Sequence, residues 1–509
     1  MEAVTDSLSN PRYHAPVIVP VLLFLTSAAA SPVATATATR DAIASPHATM
    51  RELGLVPRAP IPHGEEHEQR RSFASKIRAV AAEAPIRSES VVTKPSLSAP
   101  RVLSSFAGSH DLGWNPSDAA GAVSSKYLLH ASNASILVQD RTGAILSNIP
   151  LESFWHDPAY TDGTVYDSRV LYDAVADRWI LCTLYDVNYN KSTLLIAVSD
   201  NGNPSLGWHR YRFLVDPNDI READATRAAL TRDSIVITAN IYTDNSESSD
   251  LYIVRKADAY AGTATLPITD VQTQGIELTP VDGRDDAIVY LVTPSNTEID
   301  IYSVSGSTFT SVGSPQPPPL GIISGQAGGS APQLGSTLKL DCGYISVPNA
   351  VLRNGTLWVA SQIDMSNPFR TSVMWWRIGM STPLKVDTGI VDDPTGATMY
   401  AFPSIAVNKL GAALIGYSVF SASIYPSGGY SYIDPFNSLS KPAVMKAGDG
   451  PSHISRWSDF SGTVVDANDV DFWTIQTYAP TFIAANGYWA TWWARIEMPA
   501  LARRRAALH

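Results

Sequence analysis

One unit recurs along this chain. It is a short β-branched strand, a turn rich in Asp, Asn or Gly, and a second strand that opens on large apolar residues. The clearest copy runs from Arg456 to Ala479, where Val465 and Phe472-Trp473 flank the turn Asp466-Ala-Asn-Asp-Val-Asp471. Segments 169–173 with 178–185, 350–352 with 356–360, and 404–407 with 412–417 repeat it. Weaker copies pair 228–230 with 234–238, 278–281 with 287–291, and 121–123 with 127–130. Each reads as a hairpin from its turn chemistry and its β-branched and aromatic content. A third strand follows most copies, as at 136–138, 194–198, 251–254, 299–302, 373–376 and 489–493; a fourth is visible at 208–213.

These are about seven units of roughly 50 residues, a period that marks repeat folds. One small sheet cannot bury both of its faces, so each packs on its neighbours and the row has to close. The expected fold is all-β: an about seven-bladed β-propeller over residues 101–498, behind a disordered N-terminal extension. An irregular pair of β-sandwiches is the alternative.

With 509 residues, 45% hydrophobic and 17% charged, the chain can fill a large core. A net charge of −11 argues against a nucleic-acid partner, which calls for clustered Lys and Arg. Cys182 and Cys342 are too few for a disulfide scaffold or a zinc site. Cys182, inside an apolar strand, reads as a buried thiol, and a Cys182–Cys342 bridge stays open because export would permit it.

Residues 1–30 read as a signal peptide. An apolar run too short to span a membrane ends in small residues, with Ala28 and Ala30 placed for cleavage. Glu2, Asp6, Pro16 and Pro20 make its amino-terminal side atypical. The protein is thus expected to be secreted and monomeric, with no membrane span. Residues 31–100 read as a disordered linker or propeptide, and 499–509 as a frayed tail. The Pro- and Gly-rich stretch 311–336 reads as a loop between blades. Sequons stand at Asn133, Asn190 and Asn354.

Four stretches carry a resemblance. They are Pro116-Ser-Asp118 with Gly121-Ala-Val123, Tyr166-Asp-Ser-Arg169 with Arg178-Trp179, Asn349-Ala-Val with Asn354-Gly355, and Arg456-Trp-Ser-Asp459 with Phe472-Trp473. Together they resemble secreted, mostly bacterial β-propeller proteins of unknown function, loosely sialidase-like in architecture. The resemblance spans nearly all of 114–498 and implies a fold rather than an activity. One stretch, Ser199 to Trp208, approaches an Asp-box hairpin with altered spacing.

In a propeller the first strand of each blade lines the central channel. Asp118, Asp167, Arg169, Asp224, Arg227, Arg456 and Asp459 all fall at or just before a first strand, so they are expected to converge on one mouth. Two accounts compete for them. They lock neighbouring blades through buried ion pairs, or they bind an anionic or polyol ligand or a cation. No cofactor is expected; calcium is the cation that the turns 466–471 and 216–219 would suit, although turn chemistry alone explains them. Trp375-Trp376 and Trp492-Trp493 read as packing between blades, with a sugar-stacking platform as the sharper alternative. A serine-hydrolase elbow is absent from the sequence. The favoured reading is a secreted binding module for a glycan or an extracellular protein. The alternative is a sialidase-like glycoside hydrolase or lyase acting at the mouth, and the enzyme is the less favoured of the two.

Overall fold

The structure, a computed structural model, describes residues 32–54 and 97–500, apart from loop segments at 158–162, 188–191, 219, 244–245, 275–276, 296–297, 316–321, 324–328, 344–345, 382–383 and 482–487. The signal-peptide reading of 1–30, the sequon at Asn190 and the tail beyond 500 lie outside the described residues.

Short antiparallel strands follow one another in sets of four. Ala120–Val123, Tyr127–Ala131, Ser135–Asp140 and Ile145–Pro150 form the first set. Thr164–Asp173, Arg178–Asp186, Thr193–Ser199 and Gly207–Leu214 form the next, and Glu222–Leu230, Ser234–Tyr242, Glu247–Arg255 and Thr265–Thr273 the one after. Further sets begin with Thr279–Asp282, Ala350–Arg353 and Thr398–Val407. Successive first strands lie against one another, and Gly462–Val465, the last, returns to Ala120–Val123. The sheets therefore stand around a common centre in a propeller-like fold.

The row is closed by chain ends that meet. Val102–His110 pairs with Ala490–Ile496 and completes the sheet of Gly462–Val465 and Phe472–Tyr478. Ser109 N donates to Thr491 Oγ1 at 2.9 Å, and Ser109 Oγ lies 2.7 Å from His130 Nε2 in the first set. His130 Nδ1 is 2.9 Å from the Ala120 carbonyl, so the imidazole is fully buried among polar partners at the seam.

The core lies between sets rather than inside any one of them. Strand alternation sends successive residues to opposite neighbours. Trp375 joins Trp358, Tyr400 and Tyr417 on one face, while Trp376 joins Met374 and Ile378 on the other. Trp473, with no exposed surface, stands between Phe106 and Trp493 at 5.7 and 6.0 Å. Trp179 is equally buried and its Nε1 donates to Gly202 O at 3.0 Å. The packing reading of the tryptophan pairs holds; Trp492 alone is half-buried, beside Tyr478 and Lys446.

Two expectations need correction. The segment 31–100 was expected outside the packed part of the chain, yet Ala34–Ala44 is a strand. It lies between the outer strands Thr265–Thr273 and Gly207–Leu214 and joins two neighbouring sets. Its alanines and threonines are poor core formers, but outer strands present unpaired backbone groups that any extended segment can satisfy. Arg40 fastens it, with Nη2 2.6 Å from Asp270 Oδ2 and its guanidinium 4.2 Å above the Phe213 ring. The stretch 311–336, read as loop, contains part of a hairpin of Ser330–Gln333 and Ser336–Asp341 that buries Ala331 and Leu340 against Phe402 and Trp457. The sequon Asn133 is buried and its side chain is engaged with Asp118 and Asp167, so it is no glycan acceptor in the folded chain. Cys182 and Cys342 are free, buried thiols in separate clusters. Among the described residues no helix is long and apolar enough to cross a membrane.

Removing residues 1–54 bares two outer strands and the Asp270 carboxylate. The shortened chain is expected to melt lower and to aggregate earlier than the full chain in a thermal scan with light scattering. Burial lowers the His130 pKa from 6.5 to about 4. The unfolded chain therefore takes up this proton first, and the stability present above pH 6.5 falls as the pH drops toward 4, by up to about 3 kcal/mol. Urea melts of wild type and His130→Gln across that range should differ in slope, the variant being flatter.

Candidate functional site

The same irregularity recurs at the mouth end of the first strands. Asp118, Asp167, Ala225, Glu277 and Phe402 all have left-handed backbone, with φ of 44°, 57°, 53°, 61° and 55°. The strand register skips beside three of them, between Tyr166 and Arg169, Asp224 and Arg227, and Ala401 and Ser404. These are bulges, which bend a strand and re-aim its side chains. Left-handed backbone costs energy in a residue other than glycine, so something has to hold each one.

What holds each of the five residues is the neighbouring set. Asp459 N donates to Asp118 Oδ1 at 2.7 Å, and Asp167 N to Asn133 Oδ1 at 3.1 Å. Ala225 N donates to Asp167 Oδ2 at 2.7 Å, and Glu277 N to Asn240 Oδ1 at 3.3 Å. Phe402 N donates to Gln362 Oε1 at 3.1 Å, and Ser461 Oγ to Phe402 O at 2.9 Å. Side chain meets backbone from one set to the next around the mouth.

Five of the seven residues expected at the mouth come together there. Asp118, Asp167 and Asp459 bring carboxylate oxygens within 4.8 Å of one another. Asp118 and Asp167 are buried, whereas the Asp459 side chain is 18% exposed and lies 2.8 Å from Arg456 Nη2. Arg169 and Arg227 each follow a left-handed residue by two positions, and both line the depression in front of the acids. Arg227 is buried and committed, its Nη2 2.6 Å from Glu277 Oε2 and its Nε donating to Val347 O at 3.2 Å. Arg169 differs. Its Nε donates to Thr226 O at 2.6 Å and its guanidinium stacks 3.4 Å above the Phe460 ring, and among the described residues no carboxylate pairs with it. Burial, with Arg227 adding to it, lowers its pKa to about 9, while the nearby aspartates oppose the fall. Arg456 stands beside Asp459, and Asp224, one residue ahead of the Ala225 bulge, is buried and does not line the depression.

The depression is open to solvent and is lined by Arg169, Arg227, Ser346, Gln362, Phe402, Asp459 and Phe460 among others. Sequence reasoning missed Gln362, Phe402, Phe460 and Glu277. Glu277 and Phe402 occupy the bulge position of their own sets, which the Asp118 and Asp167 pattern would have located had residue type been ignored. Nearby on the strand of Gln362, Asp364 is pushed up to about 7 by burial, against the hydroxyl of Thr371.

The turns read as calcium candidates are otherwise engaged. Asp466 pairs with Arg141 at 2.6 Å and Arg495 at 2.8 Å, and Asp216 accepts from the amides of Asn218 and Ile220. Among the described residues two groups of side chains could hold a metal ion: the three mouth aspartates, and His47, Asp200 and His209.

No family model and no curated protein matches the chain. Solved structures resemble it distantly. The WD40 domain of SCAP from fission yeast matches at 9% identity and TM-score 0.34, over 74% of this chain and 81% of its own. A subtype N10 neuraminidase-like protein of the isolate A/little yellow-shouldered bat/Guatemala matches at 8% and 0.36, over 63% and 96%. The α-L-arabinofuranosidase Arb93A of Fusarium graminearum matches at 8% and 0.35, over 77% and 98%. The likeness is to several propeller and sialidase-like folds and does not single out the bacterial group. Glycoside hydrolases also stand among the matched structures, so the expectation against catalysis finds no support in these comparisons and is withdrawn.

Asp118→Ala leaves the Asp459 amide and the Asn133 amide group without their acceptor and is expected to cost about 2–3 kcal/mol. Arg169→Ala frees one carbonyl and a ring face and should cost about 1 kcal/mol. Urea denaturation of the two variants checks the order.

Proposed function

We propose that the mouth is the active site of a secreted glycoside hydrolase or lyase, on a seven-bladed ring, that acts on a saccharide carrying a carboxylate. The reading rests on one observation: carboxylates from three different sets meet within 4.8 Å beside an arginine that has no ion pair among the described residues. Two carboxyls about 5–5.5 Å apart are the arrangement that retaining glycosidases use. Asp459, the most open of the three, would face the glycosidic bond, with Asp118 or Asp167 as the second carboxyl. Arg169 would hold the sugar carboxylate, and Phe402 and Phe460 supply apolar surface for a sugar ring.

A second reading has support in the donor atoms. Three carboxylates offer only hard oxygens, the set that suits calcium, and a bound ion there would hold sugar hydroxyls without cleaving anything.

Screening the full chain on a glycan array, then assaying the hits for sugar release, tests the proposal. Release is expected from uronate- or sialate-bearing glycans, falling at least about 100-fold in Asp459→Asn. Arg169→Ala should raise KM for acidic substrates more than it lowers kcat. Chelator-sensitive binding without release favours the calcium reading. No binding to any glycan, acidic or neutral, overturns both.

A further inference from the structure

A second cluster lies apart from the mouth, where the N-terminal strand crosses the hairpin between Thr193–Ser199 and Gly207–Leu214. His47 follows Ala34–Ala44 and leads into Ala48–Thr49, which pairs with Gly207 and Trp208. Its Nε2 lies 3.0 Å from both Asp200 carboxylate oxygens. From the other side, His209 Nε2 lies 3.3 Å from Asp200 Oδ1, and the two imidazole centroids are 4.9 Å apart. The three side chains are 47%, 32% and 32% exposed, so an ion in solution can reach them.

We propose that His47, Asp200 and His209 form a binding site for zinc or a similar divalent transition ion, which fastens the N-terminal strand to the ring. Two imidazole nitrogens and one carboxylate oxygen are the donors such ions prefer, and calcium and magnesium do not. A tetrahedral ion with bonds of roughly 2.0–2.1 Å sets its ligand atoms about 3.3 Å apart. The nitrogen–oxygen separations at Asp200 lie close to that edge, and all three ligand atoms fall within 4.8 Å of one another. Three protein ligands leave a fourth position for water.

The backbone around the cluster is shaped to admit it. A Cβ at Gly207 would stand 2.1 Å from Asp200 Oδ2 and 2.7 Å from His47 Cε1. One at Gly262, which has a φ of +65°, would stand 2.4 Å from His209 Nε2. Because His47 comes from the N-terminal strand and the other two ligands from the ring, the ion would tie residues far apart in sequence.

The test is calorimetric titration of the metal-stripped full chain with zinc chloride, beside visible absorption after cobalt addition. One equivalent is expected to bind, with the intense bands of four-coordinate cobalt and a melting temperature raised by a few degrees. His47→Ala and His209→Ala should each weaken binding by more than about 100-fold, since even second-shell losses cost 10- to 100-fold. Asp459→Asn should bind as wild type does. The proposal is overturned if wild type takes up less than one equivalent, if the double His variant binds unchanged, or if the loss appears in Asp459→Asn instead. Both His variants are surface changes, and their circular dichroism separates lost ligation from lost fold.

Discussion

Everything in this molecule depends on ends that meet. Each sheet has two apolar faces and can bury them only against neighbours, so an open row would leave one face bare at each end. Val102–His110 removes that exposure by completing the sheet that holds Ala490–Ile496, almost 400 residues later in the chain. Closing so long a loop costs little more entropy than closing a moderate one, because the cost grows only with the logarithm of length. The return is large. Trp473 and Trp493 become fully buried against Val123 and Leu128 of the first set. The buried His130 lies on this seam, which makes the seam acid-sensitive.

Closure at the mouth follows from the same geometry. The first strands crowd toward the centre; bulges beside Asp167, Ala225 and Phe402 bend three of them, and left-handed residues at Asp118 and Glu277 turn the chain just ahead of two others. Each strained residue is stabilised by a hydrogen bond from an adjacent set, so the strain and the ring support one another. This is why most mouth charges already have partners within the ring. Arg227 is consumed by Glu277, and Asp118 and Asp167 by backbone and amide donors. Arg169 and Asp459 remain the members with an open side, and a ligand would meet those two first.

The repeat was legible because β-branched strands and Asx-rich turns report local chemistry, and the tryptophans at second-strand starts report burial. The mouth was legible in part. Positions at the heads of first strands could be read off the repeat, which is how Asp118, Asp167, Arg169, Arg227 and Asp459 were found. Glu277 and Phe402 were missed because their residue types differ, although their backbone is the same. The N-terminal strand was illegible for another reason. Ala34–Ala44 has little apolar content of its own, and its order comes from two outer strands supplied by segments near residues 210 and 270. The hairpin at 330–341 was hidden by the prolines and glycines around it.

Hydrogen exchange followed by mass spectrometry on the intact chain tests the account most directly. If strained bulges are held by neighbouring sets, the amides of Ala225, Phe402 and Asp459 exchange only when the ring opens as a whole. Peptides covering them should then be protected as strongly as those from the buried second strands, and lose that protection together with the Val102–His110 peptide when acid opens the seam. Rapid exchange at the bulges while the second strands stay protected would contradict it, and would show that the mouth is held by nothing more than its loops.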